Sequence, residues 1–133
     1  MTTLLLLGLL LGADGATLVR RQDAPRYAIA ADKGEVAIAL QKDVAVSRLV
    51  LQAGAKVPEH THEASETLVV LEGSCTLTLG RGPVVLVAGD TVHLPKGEKH
   101  AAEVPGDANG PFVAIQIYAP AGPEQRFMKG KKR

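Results

Sequence analysis

From Tyr27 onward the chain runs in short apolar or alternating segments, each closed by Gly, Pro or Asp. A period of two suits a strand with one buried face, because successive side chains leave a strand on opposite sides. Strands are predicted at 27–31, 35–40, 46–52, 67–71, 75–79, 84–87, 91–94, 100–104 and 112–118, and none of these runs is long enough for a typical helix. Between them lie Asp32-Lys33-Gly34, Ala53-Gly54-Ala55, Glu72-Gly73, Gly80-Arg81-Gly82-Pro83, Gly89-Asp90 and Pro105-Gly106-Asp107. Glycine's positive φ and proline's fixed φ suit these stretches to turns. Many short strands at close spacing predict an all-β sandwich or barrel. No repeat at solenoid spacing and no linker divides the chain, and 133 residues fit one core.

Composition sharpens this picture. The 46% hydrophobic fraction comes from Val, Ala, Leu and Ile, with two Phe, two Tyr and no Trp, so the core is expected to be aliphatic. Fifteen basic residues against fourteen acidic ones leave a net charge of +1, which gives no reason to propose nucleic acid as a partner. The basic end, Lys129 to Arg133, reads as a solvated, frayed terminus. Cys75 is the single cysteine, so no internal disulfide forms, and its strand-like setting suits a buried inert thiol.

The beginning differs in character. Leu4 to Leu7, Gly8, Leu9 to Leu11 and Gly12 form an apolar run of signal-peptide length, too short to span a bilayer. Ala13-Asp14-Gly15 places small residues where a signal peptidase reads, so cleavage after Gly15 and export across a bacterial inner membrane are expected, although no Lys or Arg precedes the run. The alternative is a buried first strand or a short N-terminal helix, with the protein remaining cytoplasmic.

The chemistry-bearing residues are few. Of four histidines, three fall with one carboxylate in His60-Thr61-His62, Glu66 and His100. His60 and His62 are two apart, so in an extended strand both point to one side. Glu66 can join them only if the chain bends or bulges around 63–65, and His100 must come from a neighbouring strand after the Pro95-Lys96-Gly97 turn. Three neutral imidazoles and a carboxylate suit one divalent transition metal, Fe, Mn, Ni, Cu, Co or Zn, and suit calcium poorly.

These residues carry a family resemblance. Gly54, His60-Thr61-His62, Glu66 and Gly73 resemble the first cupin motif without a gap, and Gly89, Pro95-Lys96-Gly97 and His100 resemble the second. The short spacer between Gly73 and Gly89 is similar to that of compact cupins. One position departs: the second motif usually closes with a structural Asn four residues after its histidine, and here Val104 stands there. The resemblance implies a double-stranded β-helix, or jelly-roll barrel, with the metal at its mouth and coordination positions left for water or ligand. On this reading residues 1–15 are a signal peptide, 16–25 an N-terminal extension, 26–118 the cupin domain and 119–133 a C-terminal tail.

Other polar residues read differently. His93 lies on the strand entering the second motif, either as an ordinary strand side chain or as a pocket-lining acid–base group. Glu59 and Glu63 are expected at the surface, and Lys96, Glu98 and Lys99 in a polar loop. Gly122-Pro123-Glu124-Gln125-Arg126-Phe127 suits a tail packing across a barrel edge or a partner. The resemblance implies a small-molecule ligand or substrate and admits dioxygenase, isomerase and decarboxylase activities. A noncatalytic module that binds or senses a small ligand or metal is the alternative, as is a barrel whose metal serves folding. Pairing through early edge strands would make a homodimer.

Overall fold

Ten strands organise residues 15–133, which the computed structural model describes. They are β1 (Arg26–Ile29), β2 (Gly34–Gln41), β3 (Ala45–Leu51), β4 (Lys56–His60), β5 (Ser65–Glu72), β6 (Ser74–Leu79), β7 (Gly82–Val87), β8 (Thr91–Leu94), β9 (His100–Glu103) and β10 (Phe112–Ala119). A six-stranded sheet runs β1-β2-β3-β10-β5-β8 and a four-stranded sheet runs β4-β9-β6-β7, with antiparallel pairing throughout. This is the all-β architecture expected from the period of two, in the jelly-roll form that the resemblance implies. The N-terminal apolar run and nearly all of the expected signal peptide lie outside the described residues.

Alternation decides which side chains enter the barrel. On β3, Ala45, Ser47, Leu49 and Leu51 are buried; on β10, Phe112, Ala114, Gln116 and Tyr118; on β5, Glu66, Leu68 and Val70. The apolar members of these rows join Val36, Leu77, Leu86 and Val104 in one mainly aliphatic core, where each large side chain is worth about 1.5–3 kcal/mol of transfer free energy. Polar residues are few on these inward rows, and they gather at one end. Gly73 joins β5 to β6 at a φ of +73°, and a Cβ there would collide with the Pro111 carbonyl oxygen, so glycine is required twice over.

Several expectations are corrected. β4 was not predicted, because Pro58 and Glu59 break its alternation and its pairing with β9 shifts register between Val57 and His60. The first strand stops at Ile29 and not at residue 31: Ala30, Ala31 and Asp32 all take positive φ and make the turn themselves. The basic end is not frayed. Ala28 N–H donates to Lys131 O at 2.8 Å, Arg133 N–H donates to Arg26 O at 2.8 Å, and Arg133 pairs with Asp32, so these residues line the outer edge of β1. A short 3-10 segment, Pro123–Lys129, precedes them, with Glu124 and Phe127 buried. Val104 fills the place of the motif Asn with an apolar, fully buried side chain, while its backbone N–H donates to Ala55 O at 3.0 Å and its C=O accepts from Gly54 N–H at 2.9 Å. At the far edge of the four-stranded sheet, β7 exposes Val84, Val85 and Val87.

Candidate metal centre

His60 ends β4 and His100 begins β9, and the two stand directly opposite each other in the four-stranded sheet. His62 lies just beyond β4, the chain bends at Glu63 and Ala64, and β5 then carries Glu66 in from the six-stranded sheet. The site therefore bridges the two sheets at the barrel mouth, and the bend needed to bring in Glu66 falls where the spacing required it. Gly97, at a φ of +82°, donates its N–H to His62 O at 3.0 Å and ties the loop before His100 to the first ligand segment.

One ligand atom from each of His60, His62, Glu66 and His100 lies within 4.8 Å of the others. The imidazole centroids are 4.3–5.2 Å apart. His62, Glu66 and His100 are buried and His60 is half-buried. His60 Nδ1 lies 2.6 Å from Pro58 O and His100 Nδ1 lies 2.8 Å from Glu98 O. A carbonyl only accepts, so both Nδ1 atoms are the protonated, donating ones and both Nε2 lone pairs face the site. Glu66 Oε2 is 3.1 Å from His62 Nε2 and 3.2 Å from His100 Nε2. These approaches are close but poorly directed: His62 Nε2 and Glu66 Oε2 are both buried without a properly aligned hydrogen-bond partner. Buried polar atoms are rarely left so, and an ion on which their lone pairs converge would satisfy both. The donor set fits a transition metal.

Behind the ligands sits a polar relay that the sequence reading missed. Ser47 Oγ donates to Gln116 Oε1 at 3.0 Å, and Gln116 Nε2 donates to Glu66 Oε1 at 2.9 Å. Ser47, Gln116 and Glu66 stand on the adjacent strands β3, β10 and β5, all facing inward. The relay fixes one oxygen of the carboxylate and leaves the other for the site. A lone Gln at an inward position of an otherwise apolar strand was the available signal.

Electrostatics follow from burial. Desolvation, opposed only in part by the Pro58 hydrogen bond, lowers His60 to a pKa of about 4, so this imidazole is neutral near pH 7. Burial would raise Glu66, but the approaches of His100 and His62 and the Gln116 hydrogen bond outweigh it and hold the carboxyl well below its usual range. Burial would lower His100, but Glu66 and the Glu98 carbonyl outweigh it, so His100 is raised. The Tyr118 hydroxyl is raised far above its usual value by burial and then by the negative charge of Glu66; it is fully buried, has no hydrogen-bond partner, and its ring lies 5.0 Å from that of His62.

The remaining sequence candidates fall elsewhere. His93 is exposed on β8, its Nδ1 2.9 Å from Thr67 Oγ1, and it does not line the cavity under the ligands. Glu63 is exposed and pairs with Lys96 at 3.2 Å, and Glu59 is exposed. Cys75 is buried, and desolvation raises its thiol to about 11, which keeps it protonated and inert. Beneath the ligands lies a cavity of about 50 Å³ walled by residues such as Leu49, Leu68, Leu77 and Phe112. At its rim stands Arg126, from the 3-10 segment, which the sequence reading assigned only to a tail.

The chain belongs to the cupin family: the family model for the cupin domain matches residues 47–118. Solved structures share the fold. An RmlC-like cupin from Shewanella frigidimarina is 19% identical with a TM-score of 0.67, covering 78% of this chain and 90% of its own. A predicted oxalate decarboxylase from Thermotoga maritima is 23% identical with a TM-score of 0.67, covering 77% and 98%. A sugar phosphate isomerase of the cupin superfamily from Silicibacter pomeroyi is 20% identical with a TM-score of 0.65, covering 77% and 75%. No curated protein sequence matches the chain.

Proposed function

We propose that the protein binds one divalent transition metal through His60, His62, Glu66 and His100, and uses it to hold a small molecule at the barrel mouth. The convergence of four ligand atoms within 4.8 Å, two of them buried without a hydrogen-bond partner, carries this reading. When bound, the metal supplies Lewis-acid polarisation of a ligand oxygen or, if it is Fe, Mn, Ni or Cu, redox chemistry. The chain's own contributions are distinct. Gln116 orients Glu66, the Pro58 and Glu98 carbonyls fix the tautomers of His60 and His100, and the aliphatic walls exclude water below the site. Support for chemistry of the decarboxylase or isomerase type comes from the names of two of the structural neighbours.

A second reading has its own observation. Among the described residues, the only titratable groups besides the ligands that line the inner cavity are Cys75 and Arg126, a protonated thiol and a guanidinium, and neither suits proton transfer. That favours a noncatalytic module that captures or senses a small ligand. Turnover of a bound metabolite or consumption of oxygen separates the two.

Elemental analysis of protein purified without an affinity metal tests the central claim. Near-stoichiometric metal in the wild type, lost in His60→Ala, His62→Ala, Glu66→Ala and His100→Ala, is the expected result. Wild type that stays metal-free after reconstitution with Fe, Mn, Ni, Cu, Co and Zn overturns it. Export after cleavage behind Gly15 and a homodimer belong to the same proposal; N-terminal mass measurement and light scattering test them. No helix among the described residues is long and apolar enough to cross a membrane.

A further inference from the structure

We propose that Arg126 is the residue by which this site selects its ligand, and that the ligand is a small carboxylate that also reaches the metal. This rests on the metal-binding reading above.

Arg126 does not belong to the barrel wall. It is carried over the mouth by Pro123–Lys129, and that segment is anchored on both sides of it. Phe127 is buried in the core cluster, and buried Glu124 accepts the Gly122 N–H with its carboxylate oxygens. The guanidinium carbon lies 4.8 Å from the centre of the Phe127 ring, which orients it further. From this platform Nη2 comes within 3.4 Å of His60 Nε2. A guanidinium only donates, so the contact uses the imidazole lone pair that faces the site, the same lone pair a metal would take. Arg126 and the metal therefore compete for one atom, and loading the site frees that N–H for another acceptor, with only a neutral one, the Tyr118 hydroxyl, shown nearby among the described residues.

No acceptor of opposite charge stands ready. Among the described residues no carboxylate lies within 4.0 Å of Arg126. A divalent ion, three neutral imidazoles, one carboxylate and one guanidinium leave the loaded site with a surplus of positive charge, which an anion would reduce. Position points the same way: Arg126 lines the inner cavity with His60, Glu66 and His100, and also lines two outer clefts of about 420 and 370 Å³. Each cleft also borders one of the ligand histidines, His62 in the larger and His60 in the smaller, so Arg126 stands beside the ligands on both sides. One guanidinium matches a monoanion, and its planar fork matches the two oxygens of a carboxylate. The inner cavity, about 50 Å³, limits the buried part of the ligand to a few atoms.

The test uses the full chain loaded with Co(II), whose visible absorption reports changes at the metal without any activity. Glycolate and its uncharged isostere glycolamide are titrated into wild type, Arg126→Gln and Arg126→Lys, with thermal melts confirming that each is folded. Wild type is expected to bind glycolate at least about tenfold more tightly than glycolamide, as a charge-assisted pair requires. Arg126→Gln should weaken glycolate by about tenfold with little change for glycolamide, and Arg126→Lys should recover part of the loss. If glycolate leaves the spectrum unchanged, binds no better than glycolamide, or is insensitive to Arg126→Gln, the carboxylate assignment falls while the metal reading stands. If wild type takes up no Co(II), both fall.

Discussion

Gln116 holds Glu66 from behind, its Nε2 donating to Glu66 Oε1 at 2.9 Å while Ser47 Oγ fixes the opposite end of the amide at 3.0 Å. A carboxylate so held presents Oε2 in one orientation, and a ligand atom already in place loses little entropy on meeting a metal. Gln116→Leu removes the donor, leaves Ser47 without its acceptor, and frees the carboxylate to rotate. Loss of such outer contacts typically costs 10–100-fold in metal affinity, and a fall of about that size is expected on competition with a chromophoric chelator. Gln116→Glu should be worse, because it sets a second negative charge against Glu66 in the same buried row.

Metal binding should release a proton. His100 is raised above its ordinary value by Glu66 and the Glu98 carbonyl, so protons compete with the metal for its Nε2 more strongly than for a free imidazole. Affinity should therefore fall with decreasing pH, and the fall should begin at a higher pH than an unperturbed histidine ligand would give. Isothermal titration in two buffers of different protonation enthalpy gives the number of protons directly.

The metal-free protein should show the opposite behaviour at the two mouth histidines. His100, raised on folding, contributes stability that is complete below its unfolded value and lost as pH rises through its folded one. His60, lowered from 6.5 to about 4, contributes stability that is present above pH 6.5 and lost as pH falls through about 4. Urea melts of metal-free His60→Ala between pH 6.5 and 4 should decline less steeply than those of metal-free wild type.

Tyr118→Phe removes a hydroxyl that is fully buried and unpaired. An unsatisfied buried group costs about 1–3 kcal/mol, so deleting it should raise stability by about 1 kcal/mol. A lower urea midpoint would mean that the hydroxyl has a partner.

Phe127→Ala should cost about 3 kcal/mol, since the ring is buried against the core. It should also free Arg126 from the mouth, so that Phe127→Ala lowers the preference for glycolate over glycolamide as Arg126→Gln does. Chemical denaturation and the Co(II) titration read the two effects separately.

Much of this is legible in the sequence. Inward and outward positions alternate along 46–52 and, beyond the buried run Phe112 to Ala114, along the rest of 112–118, because β3 and β10 are central strands with one face in the core. β4 was hidden because a proline and a register shift erase its period within five residues. His60, His62, Glu66 and His100 were legible through their motif spacing. Gln116 and Ser47 were not, because their alignment depends on the register of three strands and they lie 69 residues apart in sequence. Arg126 was hidden for the same reason: only the fold-back of residues beyond β10 brings it to His60, 66 residues earlier.

The outermost strand of the small sheet has a practical consequence. β7 ends that sheet with Val84, Val85 and Val87 facing solvent, while β1 at the end of the other sheet is covered by residues 131–133. A short, uncharged, β-prone run with open backbone groups is a template on which another molecule can add a strand. Val85, the most exposed of the three, is the position at which a single lysine would blunt that edge.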